Sequence, residues 1–150
     1  MASNSFISRL CDEKSFFKSF QKDLRQARNE VIIESPFITT SRMNTLAPTL
    51  QKLVDRGVKV YVVTRDPKEH KSPYREQSEL EIRHFEQIGV QALICKGNHH
   101  RKLAIIDREI LWEGSLNILS QSKSREIMRR IEGKQHAMEM FNYLKLGRFL

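Results

Sequence analysis

The chain has 150 residues, of which 39% are apolar and 29% charged, and its formal net charge is +8. That length suits one domain with its own core and is short for two, and the composition is globular rather than disordered or membrane-embedded. The basic surplus directs attention to polyanions, either nucleic acid or an anionic lipid surface, without choosing between them.

The opening "MASNSFISRLCDEKS" lacks the long apolar core of a secretory signal, and no apolar run nears the roughly 18 residues of a membrane span. A reducing, cytoplasmic setting is therefore expected, with one domain over residues 1–150 and no membrane partner. Cys11 and Cys95 match neither a zinc-site spacing nor a disulfide framework and read as small buried hydrophobes. In "DEKSFFKSFQKDLRQARN", Phe17, Phe20, Leu24 and Ala27 recur at helical spacing, with Asp12 placed to cap. "EVIIESPFI" predicts a strand ended by Pro36. "SRMNTLAPTLQKLVDRG" returns to helical spacing through Met43, Leu46, Leu50 and Leu53, with Pro48 marking a kink or fresh start and Gly57 a stop. "VKVYVVTRD" is the next strand. The polar loop "PKEHKSPYRE" leads to a third helix with Leu80, Phe85 and Ile88 on one face, and then "VQALIC". Alternating strands and helices imply parallel strands joined by crossovers, so the fold class is α/β, with a mixed, mostly parallel sheet flanked by helices. The C-terminal "KQHAMEMFNYLKLGRFL" reads as a helix packed on the body or on a partner chain.

"RKLAIID" and "EILWEG" are apolar runs separated by almost nothing, which predicts an antiparallel hairpin turning near Asp107 and Arg108. A two-residue loop sets Arg101 opposite Gly114 and His100 opposite Ser115, and a three-residue loop shifts this by one. Either register returns Gly114, Ser115 and Asn117 beside His100 and Lys102, and residues two apart share a face. An imidazole, an ammonium, a hydroxyl and a carboxamide thus converge, a set suited to a phosphate diester. Gly114 is expected to let the backbone approach a ligand closely. Trp112, alternating within its strand, is read as core. Arg65, Lys68, His70, Lys71 and Arg75 follow the carboxyl end of a strand, where ligands of α/β sheets lie, and form either a solvated face or, with Arg101, a track for a phosphate backbone.

His100, Lys102 and Asp107 spell H-x-K-x-x-x-x-D, and Gly114-Ser115-Leu116-Asn117 follows at the interval usual for the phospholipase D superfamily, which this stretch resembles. "IIESPFIT" and "LVDRGVKVYVVTRDP" also resemble the first two strands of bacterial phospholipase D-like domains. The resemblance selects His100 over His99, whose spacing finds no matching lysine or acid. It implies a phosphohistidine intermediate, with one histidine attacking phosphorus while a second protonates the leaving oxygen. Because the chain has one motif where the full pattern has two, it implies a site shared by two copies across a two-fold axis. Lys102, Ser115 and Asn117 would hold the phosphate oxygens, and Glu126 would orient the imidazole. Asp107, at the turn, is assigned to holding the hairpin. No cofactor is expected and no metal ligands are assigned. The expected activity is a metal-independent nuclease acting on DNA or RNA. The alternatives are a phospholipid phosphodiesterase, for which no clear apolar entry is evident, and a non-catalytic, dimerising nucleic-acid-binding domain of a larger helicase or restriction system.

Overall fold

The computed structural model describes residues 5–121 and 123–150. In chain order the elements are β1 (Ile7–Asp12), α1 (Phe16–Arg25), β2 (Glu30–Glu34), α2 (Thr40–Asp55), β3 (Lys59–Arg65), α3 (Tyr74–Gln87), β4 (Gln91–Cys95), β5 (Leu103–Ile106), β6 (Ile110–Gly114), β7 (Ile127–Glu132) and α4 (Lys134–Tyr143). Short 3₁₀ turns lie at Pro67–Glu69 and Leu146–Phe149. The strands make one sheet in the order β1-β7-β6-β5-β2-β3-β4.

The expected α/β architecture and mixed sheet are present, but the balance of pairings differs from the mostly parallel sheet expected. β2 pairs in parallel with β3, and β3 with β4. The other four pairings, β1 with β7, β7 with β6, β6 with β5 and β5 with β2, are antiparallel. The difference comes from β1 and β7, which carry no strand signal in the sequence. β7 buries only Met128 and Ile131, three residues apart, and β1 buries only Cys11, so neither shows alternation. Asp12 accordingly ends a strand, although its carboxylate still accepts the backbone N–H groups of Lys14 and Ser15 ahead of α1.

Two cores sandwich the sheet. On one face α1, α2 and α3 bury Phe16, Phe20, Leu24, Met43, Leu46, Leu50, Leu53 and Phe85 against Val31, Ile33, Val62, Ala104 and Trp112. On the other, Ala137 and Phe141 of α4, with Leu144 and Leu146 beyond it, cover Ile32, Tyr61, Leu103, Ile105 and Leu111. The C-terminal helix therefore packs on the body. Trp112 is fully buried and meets Phe16 and Phe20 edge-on, while its indole N–H donates to Asp23 at 2.8 Å. Arg130 of β7 clasps the same carboxylate at 2.7 and 2.8 Å, tying α1, β6 and β7 together. α2 runs unbroken through exposed Pro48, and Gly57, two residues past its end, has φ +90°. Leu80, expected on the buried face of α3, is half exposed; the buried stripe is Ser78, Glu81, Ile82 and Phe85, one residue round the helix. Among the described residues, no helix is long and apolar enough to cross a membrane.

Candidate active site

The β5–β6 hairpin turns through Asp107 and Arg108, both at positive φ, and Ile106 pairs with Ile110, so three residues close the loop. This is the longer of the two anticipated registers. At the open end, Gly114 N–H donates to the carbonyl of Lys102 at 3.4 Å, bringing the H-x-K and G-S-x-N segments side by side. β5 runs antiparallel to β2, so His99 and His100, which precede it, lie at the carboxyl edge of β2 and β3.

Two carboxylates fasten the His100 segment. Glu69, from the turn after β3, accepts the N–H groups of Gly97 and Asn98 at 2.9 and 3.0 Å, and both residues have positive φ. Those two backbone donors, with Arg65 Nε at 3.1 Å, hold the Glu69 carboxyl below its ordinary range. Glu34, fully buried at the end of β2, presents Oε1 to Arg101 Nε at 3.1 Å. The same oxygen lies 3.1 Å from His99 Nε2, close enough for an ion pair but out of line for a hydrogen bond. The residues on either side of His100 are thus anchored, while His100 itself is exposed. Its Nε2 lies 3.1 Å from Asn98 Oδ1, and its carbonyl accepts from Lys102 Nζ at 2.9 Å. His99 is buried beside Glu34.

Gly114 has a packing reason. A Cβ there would collide with the carbonyl oxygen of Ile127 and stand 2.9 Å from Met128 Cα. The close backbone approach it permits is to β7. Ser115 continues that junction: its N–H donates to Ile127 O, and its hydroxyl accepts the N–H of Ile127, both at 3.0 Å. Asn117 follows on a segment stitched to the β2–α2 connection, where Leu119 N–H donates to Ser35 Oγ and Gln121 N–H to Thr39 Oγ1. Asn117 Oδ1 is buried without a hydrogen-bond partner.

Arg101, Lys102, Gly114, Ser115 and Glu126 line a cleft of about 1080 Å³. Asn117 lines a smaller adjoining cleft, and Glu13 and Glu126 border both. His100 is outside either lining, joined to the larger cleft through its bond to Lys102. Glu126 accepts from Ser124 Oγ at 3.0 Å, and its N–H donates to Glu13. Asp107 stands at the far end of the hairpin, where its carboxylate accepts the N–H groups of Arg28, Asn29 and Glu30 at 2.8 to 3.0 Å. It clamps the chain entering β2 onto the turn.

The larger cleft carries Arg101, Lys102, Arg125 and Arg129 against Asp12, Glu13, Glu113 and Glu126, so its lining is balanced in charge. Around the loop after β3, Arg65 at the end of that strand pairs with Glu69, and Arg75 pairs with Glu79 within α3, while Lys68 and Lys71 are exposed. His70 is buried, its ring 4.7 Å from that of Phe37 and its Nε2 3.0 Å from Pro36 O. Burial lowers its pKa and outweighs the bond to Pro36 O, which raises it. Among the described residues, no group of three or more His, Cys, Asp or Glu side chains could hold a metal ion. Glu34, Glu69 and Asn98 were not singled out as site residues from the sequence. The only local signal was Gly97-Asn98, a pair suited to left-handed backbone.

The mixed α/β sheet carries Lys102, Gly114 and Ser115 on one cleft, with His100 two residues before Lys102. Residues 20–145 match the family described as cardiolipin synthase, PLD-like domain, and the chain belongs to this phospholipase D-like family. At superfamily level it is an enzyme of the phospholipase D-like class. NucT from Helicobacter pylori superposes with TM-score 0.72 at 18% identity, covering 94% of each chain. Nuc from Salmonella typhimurium, a phospholipase D family member, gives 0.75 at 17%, covering 94% of this chain and 93% of that one. The phosphatidylserine synthase of Haemophilus influenzae gives 0.66 at 14%, covering 94% of this chain and 39% of that one. No curated protein matches the chain in sequence.

Proposed function

We propose that this protein is a metal-independent nuclease that cleaves DNA or RNA through a phosphohistidine, in a site shared by two copies of the chain. The observation that carries the reading is the open end of the hairpin, where Lys102 is joined to Gly114 and exposed His100 stands two residues before Lys102, its carbonyl bonded to the lysine, in a phospholipase D-like chain. A ring nitrogen of His100 attacks phosphorus, and the bond from phosphorus to the leaving oxygen breaks as the partner copy's imidazole protonates that oxygen. The partner imidazole then takes a proton from water, whose oxygen attacks phosphorus and breaks the P–N bond. Lys102, released from the His100 carbonyl, together with Ser115 and Asn117, stabilises charge on the nonbridging oxygens. Exposed Lys68 and Lys71 supply phosphate-backbone contacts, so affinity should fall steeply with salt.

The need for a second copy is supported by the other imidazoles nearby. His99 is buried against Glu34, and His70 is buried on Pro36 and Phe37, so neither is free to serve as the acid. The deciding experiment mixes wild type and His100→Ala, unfolds them together and refolds them at equal amounts. A shared site leaves activity in about a quarter of randomly paired dimers, whereas independent sites leave about half. His100→Ala must first be shown to dimerise. Activity that vanishes with chelator and returns with magnesium would reject metal independence.

One observation favours a second reading, a phospholipid phosphodiesterase. Leu10 and Ile127, on the wall of the larger cleft, are 58% and 59% exposed, an apolar entry not evident in the sequence. Hydrolysis of phospholipid vesicles, with labelled nucleic acid left intact, would establish it instead.

A further inference from the structure

Arg42 lies in the first turn of α2, where its N–H is held by the Thr39 cap. The N-terminus of a helix carries partial positive charge, so a guanidinium there stands at the unfavourable end, and no acidic residue shares the turn. Its guanidinium lies 3.9 Å from the centroid of the Phe17 ring. Burial pulls its pKa below the ordinary arginine range with no carboxylate acting against this, and Nε is buried without a hydrogen-bond partner. These costs are set against the cation–π stack on Phe17, the contact that favours the buried charge.

Asn117 offers the complementary atom. Arg42 and Asn117 line the same small cleft, with Leu116, Ser120, Glu13 and Glu126, and Asn117 Oδ1 is likewise buried without a partner. The cleft measures about 20 Å³, room for one water and not for a phosphate group. Glu13 and Glu126 on its wall also disfavour an anion. A single water meets both needs, accepting from Arg42 Nε–H and donating to Asn117 Oδ1. The guanidinium charge also selects which end of the carboxamide turns inward, since the carbonyl dipole is attracted and the NH₂ repelled.

We propose that Arg42 is a positioning residue for Asn117: through one water it holds the carboxamide with Oδ1 inward and Nδ2 turned toward the substrate phosphate. The phosphate half of this statement rests on the function proposed above, and the contact between Arg42 and Asn117 does not.

The test uses Arg42→Met, which keeps an apolar stem over Phe17 and removes the donors, and Arg42→Lys, which keeps a donor able to reach the water. In ¹⁵N-labelled protein the Asn117 side-chain amide should be ordered in wild type, mobile in Arg42→Met and partly restored in Arg42→Lys. With an oligonucleotide substrate, kcat should fall about tenfold in Arg42→Met with KM unchanged, the loss expected of one hydrogen bond. In an Asn117→Ala background the same change should cost nothing further. An Asn117 amide that stays ordered in Arg42→Met overturns the proposal, as does a raised KM, which would mean direct contact with substrate, or an additive loss. Should Arg42→Met fail to fold, magnetisation transfer from a long-lived water to Arg42 Nε–H in wild type decides, and its absence overturns the proposal. Full activity of Asn117→Ala would reject the phosphate-binding role of Asn117, while the amide and water signals would still decide the contact.

Discussion

The two ends of the β5–β6 hairpin are built on opposite principles. At the turn, polar groups are saturated: Asp107 accepts three backbone N–H groups, and Arg108 pairs with Glu30 at 3.0 and 3.1 Å under the ring of Phe141. At the open end they are not. Of the six buried side-chain atoms without a partner among the described residues, those of Glu34, Arg42, Thr64, His99 and Asn117 lie along that edge, and only that of His136 lies elsewhere. Unpaired buried polar atoms cost stability. The turn holds the frame, and the open end carries the residues assigned to the proposed chemistry.

Substitutions at the two ends should therefore separate activity from stability. His100→Ala has the largest expected effect, a loss of about a thousandfold or more in kcat with the melting temperature nearly unchanged, because the side chain is exposed. Equal loss of both would erase the distinction. Asp107→Ala should do the reverse, lowering unfolding free energy by about 2 kcal/mol as three backbone donors lose their acceptor, while kcat per folded molecule is retained. Denaturant titration beside active-site titration reads both quantities.

Glu34→Gln sharpens the contrast, because this carboxylate is fully buried yet grips the residues flanking His100. Its expected signature is a kcat lowered about tenfold by misplacement of the imidazole. Stability should move by about 1 kcal/mol or less, since one carboxylate oxygen is already unpartnered. A large stability loss with normal turnover would assign Glu34 to the frame. The smallest effect concerns His70, which faces Pro36 O, Arg65, Glu69 and His100. Its folded pKa is lowered from 6.5, so the unfolded chain binds the proton more readily. The stability conferred by the neutral ring is complete above that value and is lost as pH falls through the folded one. Melting at pH 7.5 and pH 5 should show this decline, and His70→Gln should reduce it.

Local pattern alone carried the β2-α2-β3-α3-β4 succession and the hairpin to within one residue, while the family resemblance selected His100, Lys102, Asp107, Ser115 and Asn117 as the motif. The elements follow from half-burial periodicity and from spacing along a strand, both short-range properties of the chain. Only the folded chain decided the rest. β7 is a strand because β1 and β6 flank it, while its buried residues fall three apart and its arginines are drawn to Asp23 and Ser8. Gly114 is required by the β7 backbone, and Leu80 lies outside the buried stripe of Ser78, Glu81, Ile82 and Phe85. Glu34 and Glu69 reach the His100 segment from sequence distances of 65 and 28 residues, counted to His99 and Gly97. Such pairings depend on which strand ends lie side by side, and a carboxylate awaiting a distant partner reads, in a linear sequence, like any solvated charge.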